Sequence, residues 1–567
     1  MVNAYIAPTL SAALAQFRDI IASAARVGGK SSENVVVFCE DRLSLAAEKA
    51  VCEAVGGSFS VSVYTLSRFL SAERGRAENV LTSQGSAMAL RSIIDKNAQK
   101  LNLFKKLSAT GAAQEVYDTI ALLYSSGVSA EDISAVEAQG ELLRRKLADL
   151  SLLYSEYVAY LRENGLVDRN EYLRQLPDVI SSSAEIASSH VIILGFQAFT
   201  SSVRECVRAC INTAAHVSGL FIGGRESLYV NQAWSSFVGV AAECRKPANI
   251  VSLSSDRRGA AEHIRRNLFD SLAFHRAEVK DTADVRLNVA ADEAEECSFI
   301  AAETLRCVQE LGLRYREISV MLPDLSGYQP LLERAFRQYG IPLYVDRRYP
   351  LISHPLCQFL LNYLGCLADG CRLQSVVQVV SSPVFLAAAG EEGRADKDVF
   401  INYLLRAASS RGGVKREINR QICEEPDLSY ASVSRMRALF LEGLSLLSQT
   451  KGAELVGALK ALADRFTAQN ALEEAAKDGA FSAYPSVAAM NARAYECTVG
   501  VLDEAQRLAG GQKLSVRKLS ALLKSGFTAA EISLIPPKQD AVFVGDLSAT
   551  ANTGSKVLFA AGLTDSV

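Results

Sequence analysis

The chain has almost no excess of charge of either sign: 60 Lys and Arg face 63 Asp and Glu, a net charge of −3 over 567 residues. That excludes the global basic signature of a stand-alone nucleic-acid binder, so any contact with a polyanion needs a local basic groove. Twelve cysteines occur, yet none forms a CxxC pair, and the two nearest, Cys206 and Cys210, lie in an apolar helical pattern. Scattered thiols of this kind read as packing residues in a reducing cytosol. No apolar run approaches membrane-spanning length, and the opening MVNAYIAPTLSAALAQF has neither a basic start nor an uninterrupted apolar stretch. A cytoplasmic protein without a membrane partner is expected. Pro and Gly are not enriched, hydrophobic residues make up 49% and charged residues 22%. Disorder is therefore not expected, and the length predicts three or four domains.

What is present is an alternation of apolar strands and amphipathic helices. Val2–Ala7 reads as a strand leading into a helix; Val35–Cys39, continuous and apolar, repeats the order, and FSVSVY supplies a third strand. Continuous apolar strands alternating with helices indicate a parallel sheet covered on both faces. Residues 78–182 are almost wholly helical in pattern, with a capping box from Ser129 to Asp132 and a long heptad-like run over 142–161. Strands resume at His190–Leu194, HVSGLFIGG and NIVSLSS. A second unit opens near Asp284, where Val285, Leu287 and Val289 alternate with polar neighbours as a strand would. Cys297, Ile300, Ala301, Thr304, Val308 and Leu311 then recur at helical spacing, and Ile318–Leu322 is a strand. Leu331, Leu332, Ala335, Phe336 and Tyr339 mark a helix that Gly340 stops. Helical periodicity returns over 360–512, and strands at 541–545 and 557–561 are expected to complete a second sheet.

The segment ISVMLPDLSGYQPLLERAFRQYGIPLYVDRRYPLISHPL resembles the second RecA-like domain of superfamily 1 helicases, in which a Y..LLE..F...GIP phrase follows a VL strand. The longer pattern is similar to the AddB family, a component of bacterial AddAB helicase-nucleases, and the likeness spans essentially the whole chain. It implies an α/β fold: two RecA-like parallel-sheet domains, each with a mainly helical insertion, the superfamily 1 helicase architecture. Residues 1–77 and 186–280 correspond to the first RecA-like domain (1A) and 78–185 to its insertion (1B). Residues 281–358 and 536–567 correspond to the second (2A) and 359–535 to its insertion (2B). Family members continue into a nuclease domain with a metal-binding carboxylate site and an iron–sulfur cluster. The resemblance thus puts Mg2+ and a 4Fe-4S cluster beyond Val567, implies C-terminal truncation, and leaves this chain with no cofactor of its own.

The same resemblance asks for a P-loop after the first strand. Such a loop needs glycines so that backbone amides approach phosphate, a Lys for the β/γ oxygens, and a Ser or Thr for magnesium. APTLSAALAQF has neither glycine nor lysine there. A Gly-Gly-Lys at 28–30 follows a helix and precedes a strand, the reverse of the required order, and reads as a surface turn. In VIILGFQAFTSS, Gly195 and Phe196 stand where the family's fourth core strand carries its acidic pair, so no side chain is placed to hold magnesium and an attacking water. ATP binding and catalysis are not expected of this chain.

Six residues are candidates for DNA contact. Asp41, Arg42 and Ser44 occupy the turn after a strand, where side chains and free amides meet phosphate or bases; the family has PDQMTF there. VYTLSRFLS resembles the family's VFSFSRLAW, which matches Ser67 and Arg68 and puts Leu66 and Ser71 where aromatics are usual. An Arg68 fork grips guanine edges or a phosphate, whereas the two aromatics would have stacked on unpaired bases. GFQAFTSSVRE resembles GF..FT..E through Gly195, Phe196, Phe199 and Thr200; this implies base stacking for Phe196 and a phosphate contact for Thr200. Each has an ordinary alternative: a surface ion pair for Arg68, a core position for Phe196, a helix N-cap for Thr200. His354 reads as a turn residue before proline, and the clusters RRKLADL, DRRGAAEHIRRN and RRYP as solvated faces. The expected function is a non-motor subunit that pairs with an AddA-like helicase-nuclease as a heterodimer. It would bind and channel single-stranded DNA from duplex ends during double-strand-break repair and recombination. An active superfamily 1 helicase or ATPase with a divergent P-loop, and an inactive remnant, are the alternatives.

Overall fold

The structure, a computed structural model, describes all residues except 27–33, 57–59, 76–78, 105–111, 224–230, 255–258, 268–281, 408–411, 449–452, 468–486, 510–513, 534–539, 549–554 and 565–567. The Gly-Gly-Lys at 28–30 lies outside the described residues.

Six strands form the first sheet: β1 (Val2–Ala7), β2 (Val35–Cys39), β3 (Val61–Tyr64), β4 (His190–Leu194), β5 (His216–Ile222) and β6 (Asn249–Ser252). Their order is β3-β2-β4-β5-β1-β6, and every pairing is parallel. The central strands are apolar because both faces are covered: all five residues of β2 are buried. One face packs under helices Leu10–Arg26 and Ser44–Val55 through Phe17, Ile21, Val37, Ala47 and Ile192. The other packs under Leu176–Ser182, Ser201–Thr213 and Gln232–Glu243. Leu176, Val179 and Ile180, which the sequence assigns to the first helical insertion, thus belong to this core.

The second sheet holds β7 (Ile318–Leu322), β8 (Leu343–Val345), β11 (Val542–Asp546) and β12 (Val557–Ala560), ordered β12-β7-β11-β8 and parallel throughout. A short antiparallel pair, β9 (Tyr349–Pro350) with β10 (Glu531–Ile532), ties its exit to the helices. Gly340, at φ 66°, ends helix Leu325–Gln338, and the Ile341 amide folds back onto the Phe336 carbonyl at 2.9 Å. The expected strand at 285–289 does not form. The segment makes no ladder, and Leu287 and Val289 are 92% and 93% exposed. Alternation selects an extended backbone, but a strand also requires a neighbour's backbone groups, and none of the described residues supplies them.

The fold is therefore two RecA-like parallel-sheet lobes with helical insertions, the superfamily 1 helicase architecture. The insertions do not stand apart. Leu81, Met88, Ile94, Leu153 and Tyr157 of the first share one apolar core with Leu360, Phe440, Leu502, Leu523 and Phe527 of the second. Helix Ser83–Asn97 lies so close to helix Val516–Ala529 that a Cβ on Gly526 would meet Met88 Sδ at 2.7 Å. Glu504, 3% exposed, accepts from the Thr82 amide at 2.9 Å and from the Thr82 hydroxyl at 2.5 Å.

Candidate nucleic-acid interface

Because all six strands of the first sheet are parallel, their carboxyl ends and following loops share one rim. The order β3-β2-β4 puts the loops bearing Arg68, then Asp41, Arg42 and Ser44, then Phe196 and Thr200, side by side. Topology alone gathers the six candidates, although 159 positions separate the first from the last. The loop after β1 lies further along, beyond β4 and β5.

At the β2 exit the chain turns through a short 3-10 helix, Asp41–Leu43, into helix Ser44–Val55. Asp41 is exposed, and the Arg42 Nε donates to Glu40 at 2.6 Å, so that guanidinium is held by its neighbour. At the β3 exit Thr65 caps helix Leu66–Arg74 by accepting from the Arg68 amide at 3.4 Å. Phe69 fixes this corner: it is fully buried and sits edge-on to Phe38 at 5.2 Å and at 5.5 Å from Tyr64. Arg68 consequently projects outward with 60% of its side chain exposed. It makes a long 3.4 Å contact to the Ser44 hydroxyl and a 3.7 Å ion pair with half-exposed Glu48. An ion pair of that length and exposure contributes little, which leaves Arg68 the readier of the two arginines to take another anion.

The β4 exit behaves differently. Phe196 is 7% exposed and begins an aromatic file, Phe196 to Phe199 at 5.7 Å, Phe199 to Phe221 at 6.2 Å, Phe221 to Phe237 at 5.4 Å, that runs into the core. Its ring is committed to packing. Thr200 accepts from the Val203 amide at 3.4 Å and caps helix Ser201–Thr213. Residue Leu43, absent from the candidates, organises the rim: buried at 2%, it fills the space beside Gly195, whose φ is +75°. No sequence signal links positions 43 and 195, because only the sheet brings them together.

The first rim loop bears on nucleotide binding. Thr9 Oγ1 accepts from the Ala12 amide at 3.2 Å, so one of the helix N-terminal donors that a phosphate would need is already satisfied. The Pro8 carbonyl takes Arg265 at 3.4 Å, and that arginine is itself clasped by buried Glu262 at 2.8 and 2.7 Å. With no glycine, lysine or β4 carboxylate, these residues do not fit an ATP–magnesium group. Nor do three His, Cys, Asp or Glu converge anywhere among the described residues in a way that would hold a metal. Eight of the twelve thiols are buried. Burial, aided by the Asp41 and Glu48 carboxylates, pushes Cys39 up to about 12, the setting of an unreactive packing thiol. His354 accepts from the Leu356 amide at 3.3 Å, capping helix Pro355–Asp369, and its Nε2 lies 3.0 Å from Asn491 Oδ1.

Two RecA-like lobes whose rim lacks phosphate-binding glycines, a lysine and an acidic pair define a helicase-fold protein without the residues of a motor. The chain belongs to the AddB family, whose model described as ADDB, N-terminal, matches residues 23–229. It is 22% identical to the AddB-type chain of the ATP-dependent helicase/deoxyribonuclease of Listeria welshimeri, over 95% of this chain and 50% of that protein. To the corresponding helicase/deoxyribonuclease chain of Moorella thermoacetica it is 24% identical, over 95% and 50% respectively. To that of Desulfitobacterium hafniense it is 24% identical, over 88% and 44%. The chain thus spans about half the length of the curated relatives it matches. Among the described residues no helix is long and apolar enough to cross a membrane.

Proposed function

We propose that this chain is the helicase-like, non-motor part of an AddAB-type assembly. In this reading it binds and guides single-stranded DNA from duplex ends during double-strand-break repair, beside an AddA-like partner that hydrolyses ATP. Nuclease chemistry is assigned outside these residues. The observation that carries the reading is the first rim loop: a P-loop position in which Thr9 caps its own helix and Arg265 holds the Pro8 carbonyl. Exposed Arg68, beside Ser44 and within 3.7 Å of Glu48, supports the DNA contact. The relatives' printed description as parts of an ATP-dependent helicase/deoxyribonuclease supports the setting.

Two measurements test it. The purified chain is expected to hydrolyse no ATP, with or without single-stranded DNA; turnover that disappears on Thr9→Ala would restore the motor reading. Arg68→Ala is expected to weaken single-strand binding about threefold to tenfold. It should also reduce the slope of log affinity against log salt by about 0.7, the contribution of one phosphate contact on a single strand. A slope left as it was makes Arg68 ordinary surface.

A further inference from the structure

The first helical insertion carries a cavity of about 420 Å³, far from any motif the sequence offers. Its volume lies in the range of small-molecule sites. It opens between the end of helix Ala112–Ser125, the turn that follows, the carboxyl half of helix Glu141–Glu163 and the end of helix Arg169–Arg174. The residues that give it a chemistry are Tyr124, Glu131, Tyr154, Val158, Arg162 and Arg174.

The wall is built rather than incidental. Tyr154 is 4% exposed and anchored by its hydroxyl to the Val128 carbonyl at 3.2 Å, with its ring 6.1 Å from that of Tyr124. The Arg174 guanidinium lies over the Tyr124 ring, 4.3 Å from its centre, and donates to the Tyr124 carbonyl at 3.3 Å. Its ion pair with Glu171 is long, at 3.8 Å. Arg162, in the last turn of its helix, is exposed and has no acid partner among the described residues. Glu131 is the one carboxylate in the lining. Flat aromatic and guanidinium surfaces favour a planar ring by stacking. A guanidinium with a free fork favours phosphate, and a carboxylate at the same opening accepts from an exocyclic amine.

We propose that this cavity is a binding site for one nucleotide unit with an amino-bearing base: the ring against Tyr124 and Arg174, the phosphate on Arg162, the amine on Glu131. The unit has two sources, a free nucleotide or a residue within a single strand. The proposal needs neither the sheet rim nor Arg68, and it is separate from the β1 loop.

Binding of fluorescently labelled adenosine monophosphate and of a labelled ten-residue oligodeoxyadenylate to the full chain separates the sources. Both are titrated in the Arg68→Ala background, so that failure at the rim cannot be read as failure here. Mononucleotide binding assigns the site to a free nucleotide, and binding of the oligonucleotide alone assigns it to a strand. In either case Arg162→Ala, at an exposed position, and Tyr124→Leu are each expected to weaken binding about tenfold, while Thr9→Ala leaves it unchanged. Binding of neither probe, or equal binding by the parent and both cavity variants, overturns the proposal.

Discussion

Replacing Glu504 with alanine is expected to remove ~3 kcal/mol of stability from the helical body. The carboxylate is buried at 3%, and its two oxygens take the amide and hydroxyl of Thr82, the residue that begins helix Ser83–Asn97. A negative group at a helix N-terminus is favoured by the aligned peptide dipoles as well as by the hydrogen bonds themselves. Alanine leaves the Thr82 donors to whatever water can enter and opens a void against Gly85, where a Cβ would have stood 2.9 Å from the carboxylate. Glu504→Gln keeps the shape and one acceptor, so its loss should be smaller, about 1 kcal/mol. The check is the urea midpoint followed by far-ultraviolet circular dichroism; a Glu504→Ala midpoint indistinguishable from the parent shows that water substitutes fully.

The interest of this contact goes beyond stability. Its partners are 422 positions apart, one on each insertion, and the insertions branch from different lobes. Lobes that open and close by hinge or shear must slide along some interface. Here the two insertions share a single apolar core, with Met88 against Gly526 and Thr82 on Glu504. That bond between lobes agrees with the loss of phosphate-binding residues at the β1 exit: both favour a fixed cradle over a cycling motor.

The sheets were legible in the sequence because a buried parallel strand has to be a continuous apolar run, and Val35–Cys39 and Ile318–Leu322 are such runs. Helix ends were legible where a side chain does the capping, as at Ser129 with Asp132 and at Thr200. What failed depended on partners remote in the chain. The alternation of Val285, Leu287 and Val289 is a property of one segment, whereas a ladder is a property of two. Leu343–Val345 went unnoticed because three residues carry too little periodicity to detect. A phenylalanine at the end of β4 looks the same to the sequence whether it faces solvent or core. Phe199, Phe221 and Phe237 decided that Phe196 faces the core. Arg68 was readable as exposed because the neighbouring apolar position, Phe69, had to turn inward. The cavity beside Tyr124 carries no motif: its arginines and tyrosines come from three helices and meet only in the folded insertion.

Gly195→Ala should cost the first lobe ~3 kcal/mol and weaken its rim together. Gly195 has φ +75°, a conformation in which an L side chain is strained by about 1 kcal/mol. The added methyl would also lie 2.2 Å from Leu43 Cδ1. Leu43 is 2% exposed, so it can yield only by moving its own backbone or neighbours, an overpacking cost of about 2 kcal/mol. Its displacement drags Arg42 and Ser44, which flank it in sequence, and through the Ser44 hydroxyl it loosens Arg68. The two costs can be separated by a double-mutant cycle. In a Leu43→Ala background the clash vanishes and the backbone strain remains, so Gly195→Ala should then cost about 1 kcal/mol. If the penalty is the same with and without Leu43, the wedge between β2 and β4 is not what shapes the rim. If stability falls while single-strand affinity holds, the rim residues do not form the contact.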